Sequence, residues 1–252
     1  MKLDLKKGTL GALVAVSLAV LLWMEPVSQD PGYHRFADQR TLFGVPNFWN
    51  VMTNLPMVVV GLLGAGRIVR GRAARYLPEL AFVYMAFFCG LFLTGLGSAY
   101  YHIEPDNASL LFDRLPMTVL FVSFFCIVWG EHISSAAVQW ILWPLLPAGL
   151  ATVIYWYWTE TLGRGDLRPY ALVQFLPMLL IPLILLLYQS KLTRVVWLWG
   201  VLAAYGVSKL AEVLDQPIYD LFGVFSGHSI KHLIAALAAY LLYLAIGRLK
   251  AH

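Results

Sequence analysis

"ELAFVYMAFFCGLFLTGLGSAYYHIEPDNASLLFDRLPMTVLFVSFFCIVWG", residues 79–130, decides the fold. It holds two apolar runs, 79–101 and 113–130, each close to the ~20 residues that a membrane-crossing helix needs. A polar, turn-forming "EPDN" lies between them. Lipid offers no hydrogen bonds, so such runs must be helical, and a short connection makes them antiparallel neighbours. Yet Ser98, His102 and Asp113 sit where these runs meet the connection. Polar and ionisable groups in such segments are costly, which makes them candidates for function.

Working outward, the same pattern recurs. Apolar stretches at 8–24, 48–69, 137–158, 170–189, 194–214 and 228–248 bring the expected spans to eight. The chain is 60% hydrophobic and 13% charged, with a mean hydropathy of +0.71. A soluble domain carries roughly 25% charged residues. The expected fold class is all-α and integral to the membrane: a seven-transmembrane helix bundle plus one extra N-terminal transmembrane helix. That first helix follows "MKLDLKKG" and lacks a small-x-small cleavage site, so a retained anchor is expected rather than a signal peptide. Cys89 and Cys126 lie inside spans without metal-type spacing and are expected to be small buried residues.

The net charge of +4 does not point to nucleic acid, because the basic residues sort by loop. Eleven fall on one side: Lys2, Lys6, Lys7, Arg67, Arg70, Arg72, Arg75, Lys191, Arg194, Arg248 and Lys250. Five fall on the other: Arg35, Arg40, Arg114, Arg164 and Arg168. This bias puts both termini in the cytoplasm. The compact loops and short tails suggest a bacterial chain, hence an inner membrane. Residues 25–47 form the one long polar connection, on the outer side; it could cap the bundle or bind a ligand. The expected organisation is residues 1–46 as anchor helix and outer polar segment, and 47–252 as a seven-helix domain.

Helix counting then brings distant residues together. The third span ends, and the fourth and eighth begin, on the same face. Ser98, His102, Asp113, His228 and His232 therefore share one membrane level, which the charge bias makes the outer one. His228 and His232 are one helical turn apart and can grip one metal ion. A third histidine from another helix, His102, completes a set that suits Zn²⁺, with a fourth position open to water. Asp113 could hold and deprotonate that water, and Ser98 could donate to an oxyanion. Taken singly each residue has a plainer reading: a satisfied histidine, a small packing serine, a helix N-terminal acid. Their common level favours a metal site.

Asn47, Asn50 and Asn54 form a stripe at the outer end of the second span, and Lys209, Glu212 and Asp215 one at the outer end of the seventh. Inter-helix hydrogen bonding with a Lys209–Glu212 ion pair would explain them; so would a polar wall around a lipid headgroup. His34, His132 and His252 read as solvated loop or tail residues, and "YWYW" at 155–158 as an interfacial aromatic belt.

"GLGSAYYH", "DRLPM" and "SGHSIKHL", with "NFWNVMTNLP" before them, resemble the alkaline ceramidase family, within a superfamily of seven-helix membrane hydrolases that includes the adiponectin-receptor-like proteins. The resemblance covers about 47–248. It implies zinc held by His102, His228 and His232, Asp113 beside the water, Ser98 near the reacting carbonyl, and hydrolysis of a ceramide-like N-acyl lipid to fatty acid and sphingoid base. Two departures stand out. Arg114 replaces the acidic residue of eukaryotic members and could meet a phosphate or carboxylate. Glu25, Asp30 and Asp38 do not match their calcium motif, so calcium is not carried over. The rivals are a lipid-binding, receptor-like protein with structural zinc, and a transporter, which the clustering of ionisable groups at one end disfavours.

Overall fold

The computed structural model describes residues 2–71, 78–190 and 195–247. Among these the regular structure is helical, joined by irregular connections, the longest at 24–47, with one isolated bridge between Leu42 and Val45. The helices are α1 (Lys2–Trp23), α2 (Phe48–Met52), α3 (Leu55–Val69), α4 (Ala81–Ile103), α5 (Asn107–His132), α6 (Val138–Thr161), α7 (Arg168–Leu187), α8 (Val195–Val213), α9 (Asp215–Phe222) and α10 (Gly227–Gly247). Seven stretches among the described residues are long and apolar enough to cross a membrane: α1, α2 with α3, α4, α5, α6, α7 and α10. The chain is a multi-pass helical membrane protein. Helix α8 runs 19 residues but carries Lys209 and Glu212 near its end. It lies against α10.

The bundle is polar inside at one end and apolar outside. Leu62, Leu96, Trp140, Trp143 and Leu186 face outward, whereas Asn50, Ser98, His102, Asp113, His228, Ser229 and His232 are buried. Helix α4 packs most extensively on α5, α10 on α8, and α3 on α4. A main apolar core of Phe88, Leu91, Val122, Ile181, Leu198 and Leu242 fills the middle. A second, smaller cluster of Phe36, Tyr101, Leu110, Val153, Trp156 and Tyr170 supports the end where the site lies.

Several sequence expectations need correction. The fourth span begins at Asn107 rather than 113, because Asp106 caps the helix. Its carboxylate accepts from Ser109 N at 2.6 Å, and Ser109 Oγ accepts from Asp106 N at 3.0 Å. The bond from Ser109 N to the carboxylate is the main cause that holds the Asp106 carboxyl below its ordinary value. Asp113 is thus well inside the helix and is not its N-terminal acid. The second span breaks at Thr53–Asn54 into α2 and α3. Cys89 faces outward while Cys126 is buried. His132 is buried at the end of α5, and His34 is half-buried, bonded to Tyr101 Oη at 2.9 Å and Asn107 Oδ1 at 3.0 Å; neither is a solvated loop residue. Tyr155 and Trp158 are exposed as a belt requires, but Trp156 is fully buried. Arg72, Arg75, Lys191, Arg194, Arg248 and Lys250, which carry much of the expected orientation signal, lie outside the described residues, as does His252.

The segment 25–47 caps the bundle. Gln29 N donates to Glu160 Oε1 at 2.5 Å, Ala37 N to Asp215 Oδ2 at 2.9 Å, and Leu167 N to Val27 O at 2.8 Å. Asp38 is buried and takes two bonds of 2.8 Å from Arg40. That pairing raises the Arg40 guanidinium above its ordinary value.

Candidate metal centre and lipid cavity

His102 comes from the last turn of α4; His228 and His232 come from the first two turns of α10. All three are at least 95% buried. His102 Nε2 lies 3.3 Å from His232 Nε2 and 3.3 Å from His228 Nε2, and one nitrogen from each ring falls within 4.8 Å of the others. Two nitrogens each ~2.0–2.1 Å from one tetrahedral zinc would stand about 3.3–3.4 Å apart. The two separations from His102 fit that spacing, and the third histidine nitrogen pair lies within 4.8 Å.

Neighbouring groups fix the rings. Thr53 Oγ1 donates to Trp49 O at 2.6 Å, so at 3.1 Å from His232 Nδ1 it is left to accept. Nδ1 then carries the proton, and the Nε2 lone pair faces the other two rings. This is how a histidine is prepared to bind metal. The break between α2 and α3 places Thr53 there. Asp215, at the start of α9, takes His228 N at 2.6 Å and Ala37 N at 2.9 Å, tying the start of α10 to the segment 25–47. Phe36 closes over the rings, with its centroid 4.6 Å from His102 and 4.5 Å from His228. His102 Nδ1 is buried without a hydrogen-bond partner.

Below this cluster a cavity opens between α4, α5, α7, α8 and α10. Ser98, Asp113, Arg114, Lys209, Glu212, Lys231 and His232 form its polar end. Ser98 and Asp113 line this polar end together, from facing helices α4 and α5. Apolar walls continue downward past Leu91, Phe124 and Met178. On α4 the lining runs from Ser98 to Phe87, a depth of about 16 Å at 1.5 Å per residue. That is roughly half of a ~30 Å hydrocarbon core. The cavity is an apolar slot beneath a polar end.

A model of the Ceramidase family matches residues 43–252. The chain belongs to the Ceramidase family. Membership makes it, in general terms, a hydrolase acting on a ceramide-like lipid. No curated protein matches the sequence. Within this family member, the cavity, the three histidines and the Ser98–Asp113 pair lie together at one end of the bundle.

The remaining predicted site residues divide. Lys209 and Glu212 line the cavity, and their ion pair is present: Lys209 Nζ lies 2.7 Å from Glu212 Oε2. The three asparagines do not line it. Asn47 Nδ2 donates to His102 O at 2.9 Å, and Asn54 Nδ2 to Asn50 O at 2.7 Å. Asn50 donates to Asp38 O at 3.1 Å and accepts from Ser229 at 2.7 Å. Their contacts are inter-element hydrogen bonds that hold the site's frame. Sequence reasoning missed Lys231, which lines the cavity with Nζ 2.5 Å from Glu212 Oε1. A lysine within an apolar span, three residues after His228, was the signal. Thr53 and Phe36 had no comparable signal, since each acts through a tertiary neighbour.

Proposed function

We propose that this protein is a zinc-dependent intramembrane amidase that cleaves the N-acyl amide of a ceramide-like lipid to a fatty acid and a sphingoid base. One observation carries the reading: three buried imidazoles converge, with His102 Nε2 3.3 Å from both His228 Nε2 and His232 Nε2, beside Asp113 and Ser98 at the head of an apolar slot. His102, His228 and His232 would hold the zinc. Bound zinc supplies Lewis acidity, enough to generate a hydroxide-like nucleophile near pH 7. Asp113 takes the proton released as water adds to the amide carbonyl, and returns it to the departing nitrogen. Ser98 turns its hydroxyl to the developing oxyanion. The apolar slot takes the acyl chain and fixes the carbonyl against the polar end. Asn47, Asn50 and Asn54 hold the frame, and Lys209 and Glu212 face the headgroup. In this reading residues 47–252 form the catalytic unit, 1–46 supply the anchor and cap, both termini are cytoplasmic, and the site faces the outer leaflet.

The test is release of fatty acid from N-acyl lipids by purified, zinc-loaded protein, alongside Asp113→Asn. Asp113→Asn is expected to retain about one zinc per chain and to lose at least a hundredfold in turnover. Fatty acid release that is undiminished in Asp113→Asn refutes the assigned role. No release from any N-acyl lipid would leave a receptor-like protein with structural zinc.

A further inference from the structure

The polar end of the cavity carries more positive than negative charge. Arg114, Lys209 and Lys231 line it against Asp113 and Glu212. Glu212 is shared by both lysines, at 2.7 and 2.5 Å. Among the described residues Arg114 has no carboxylate within ion-pairing distance, although it is 94% buried. A divalent cation on the histidines would widen the imbalance. A buried cation without an ionic partner is costly unless other groups compensate.

Here the compensation is on the faces of the guanidinium. The Trp156 ring lies 4.1 Å from Arg114 Cζ, Tyr170 4.9 Å and Tyr33 5.7 Å. Ring faces attract the cation but do not satisfy donors along the guanidinium edge. Among the described residues only Nη2 has a hydrogen-bond partner, Gln29 Oε1 at 2.6 Å; Nη1 is buried with none. The result is a planar fork, clamped by aromatic rings, in the wall of a lipid cavity. Such a fork matches the paired oxygens of carboxylate, phosphate or sulfonate.

Position narrows what brings those oxygens. Tyr33, which caps Arg114, also lines the cavity and is 37% exposed, so Arg114 sits towards the mouth. The apolar slot runs the other way. With an amide at Asp113 and the acyl chain in the slot, the amine-side part of the lipid rises towards Arg114 and Tyr33. We infer that the preferred substrate is an N-acyl lipid bearing an anionic oxygen group on its amine-side headgroup, held by Arg114. The inference rests on the amidase reading for which end of the lipid lies where.

Matched lipids test it: ceramide and ceramide 1-phosphate, and an N-palmitoyl amino acid and its uncharged carboxamide. Wild-type, zinc-loaded protein is expected to favour the charged member of at least one pair by roughly tenfold or more in kcat/KM, chiefly through KM. Arg114→Gln should bring that ratio close to one, with metal content retained. Arg114→Lys keeps the charge without the fork and should give an intermediate ratio; it carries the test if the glutamine variant does not fold. Equal treatment of charged and neutral lipids by the wild type overturns the inference, as does a preference that survives both substitutions. So does Arg114-dependent competition by free palmitate in the absence of any headgroup preference, since the arginine would then serve the product's carboxylate. If no lipid is cleaved, the amidase reading fails on its own. The charged-to-neutral ratio is then read from lipid retention in native mass spectrometry, and a ratio near one, or one unaltered by Arg114→Gln, overturns the anion subsite too.

Discussion

Replacing Gly97 with alanine should push α4 away from α5 beside Ser98 and Asp113, at the polar end of the cavity. A Cβ at Gly97 would stand 2.1 Å from Phe112 O, 2.9 Å from Phe112 C and 3.4 Å from Asp113 N. The obstacle is helix backbone, which cannot swing aside as a side chain would. Ordinary contact begins near 3.4 Å, so the carbonyl must retreat by about 1.3 Å from its 2.1 Å position. Asp113 follows Phe112 directly, and Ser98 follows Gly97; the displacement therefore falls on the pair we propose to move the proton and bind the oxyanion. A misplacement of ~1 Å can cost about a hundredfold in rate. Overpacking of this kind typically costs about 1–3 kcal/mol of stability, less than the ~5–15 kcal/mol of a typical folded domain. The assay pairs fatty acid release with zinc content and thermal unfolding in detergent. Turnover should fall by roughly ten- to a hundredfold while about one zinc per chain remains, because the histidines lie on α4 and α10. A Gly97→Ala protein that keeps turnover within about threefold of the wild type would refute the claim that close α4–α5 approach sets the polar end of the cavity.

Three further outcomes are expected. Thr53→Val removes the acceptor for His232 Nδ1 and should weaken zinc affinity by about ten- to a hundredfold, measured by competition with a chelator; unchanged affinity removes Thr53 from the account. Chelation, or His228→Ala, should lower the unfolding midpoint as well as abolish turnover, since ligand binding stabilises only the folded state; a midpoint indifferent to metal argues against the site. Asp166, in the connection between α6 and α7, accepts from Arg168 Nε and Nη2 at 2.8 Å each, which holds its carboxyl below the ordinary value. A carboxyl lowered on folding contributes stability above its unfolded pKa of about 3.9 and loses it as pH falls through the folded value. Asp166→Asn should therefore lower the midpoint at pH 7, and its gap from the wild type should narrow below about pH 3.9; a gap independent of pH contradicts this.

The apolar lengths alone announced a membrane bundle, because a ~20-residue apolar run has no other stable form in lipid. Helix parity put His102, Asp113 and the His228–His232 pair at one level, because a span must end on the face opposite its start. The sequence by itself thus determined the architecture, the level of the site and its candidate ligands. Other features needed three dimensions. Nothing local marks Thr53 as the partner of His232, since the break between α2 and α3 brings it there. The asparagine stripe looked equally suited to substrate or scaffold until its partners, His102 O, Asp38 O and Asn50 O, were seen. Arg114 reads in sequence as a charge near a helix end; only packing encloses it with Trp156, Tyr170 and Tyr33 and leaves part of its fork without a partner. Membrane insertion is a property of single segments and can be summed along the chain. Whether a buried polar atom is satisfied depends on which segments meet it, and that is decided only when the helices pack.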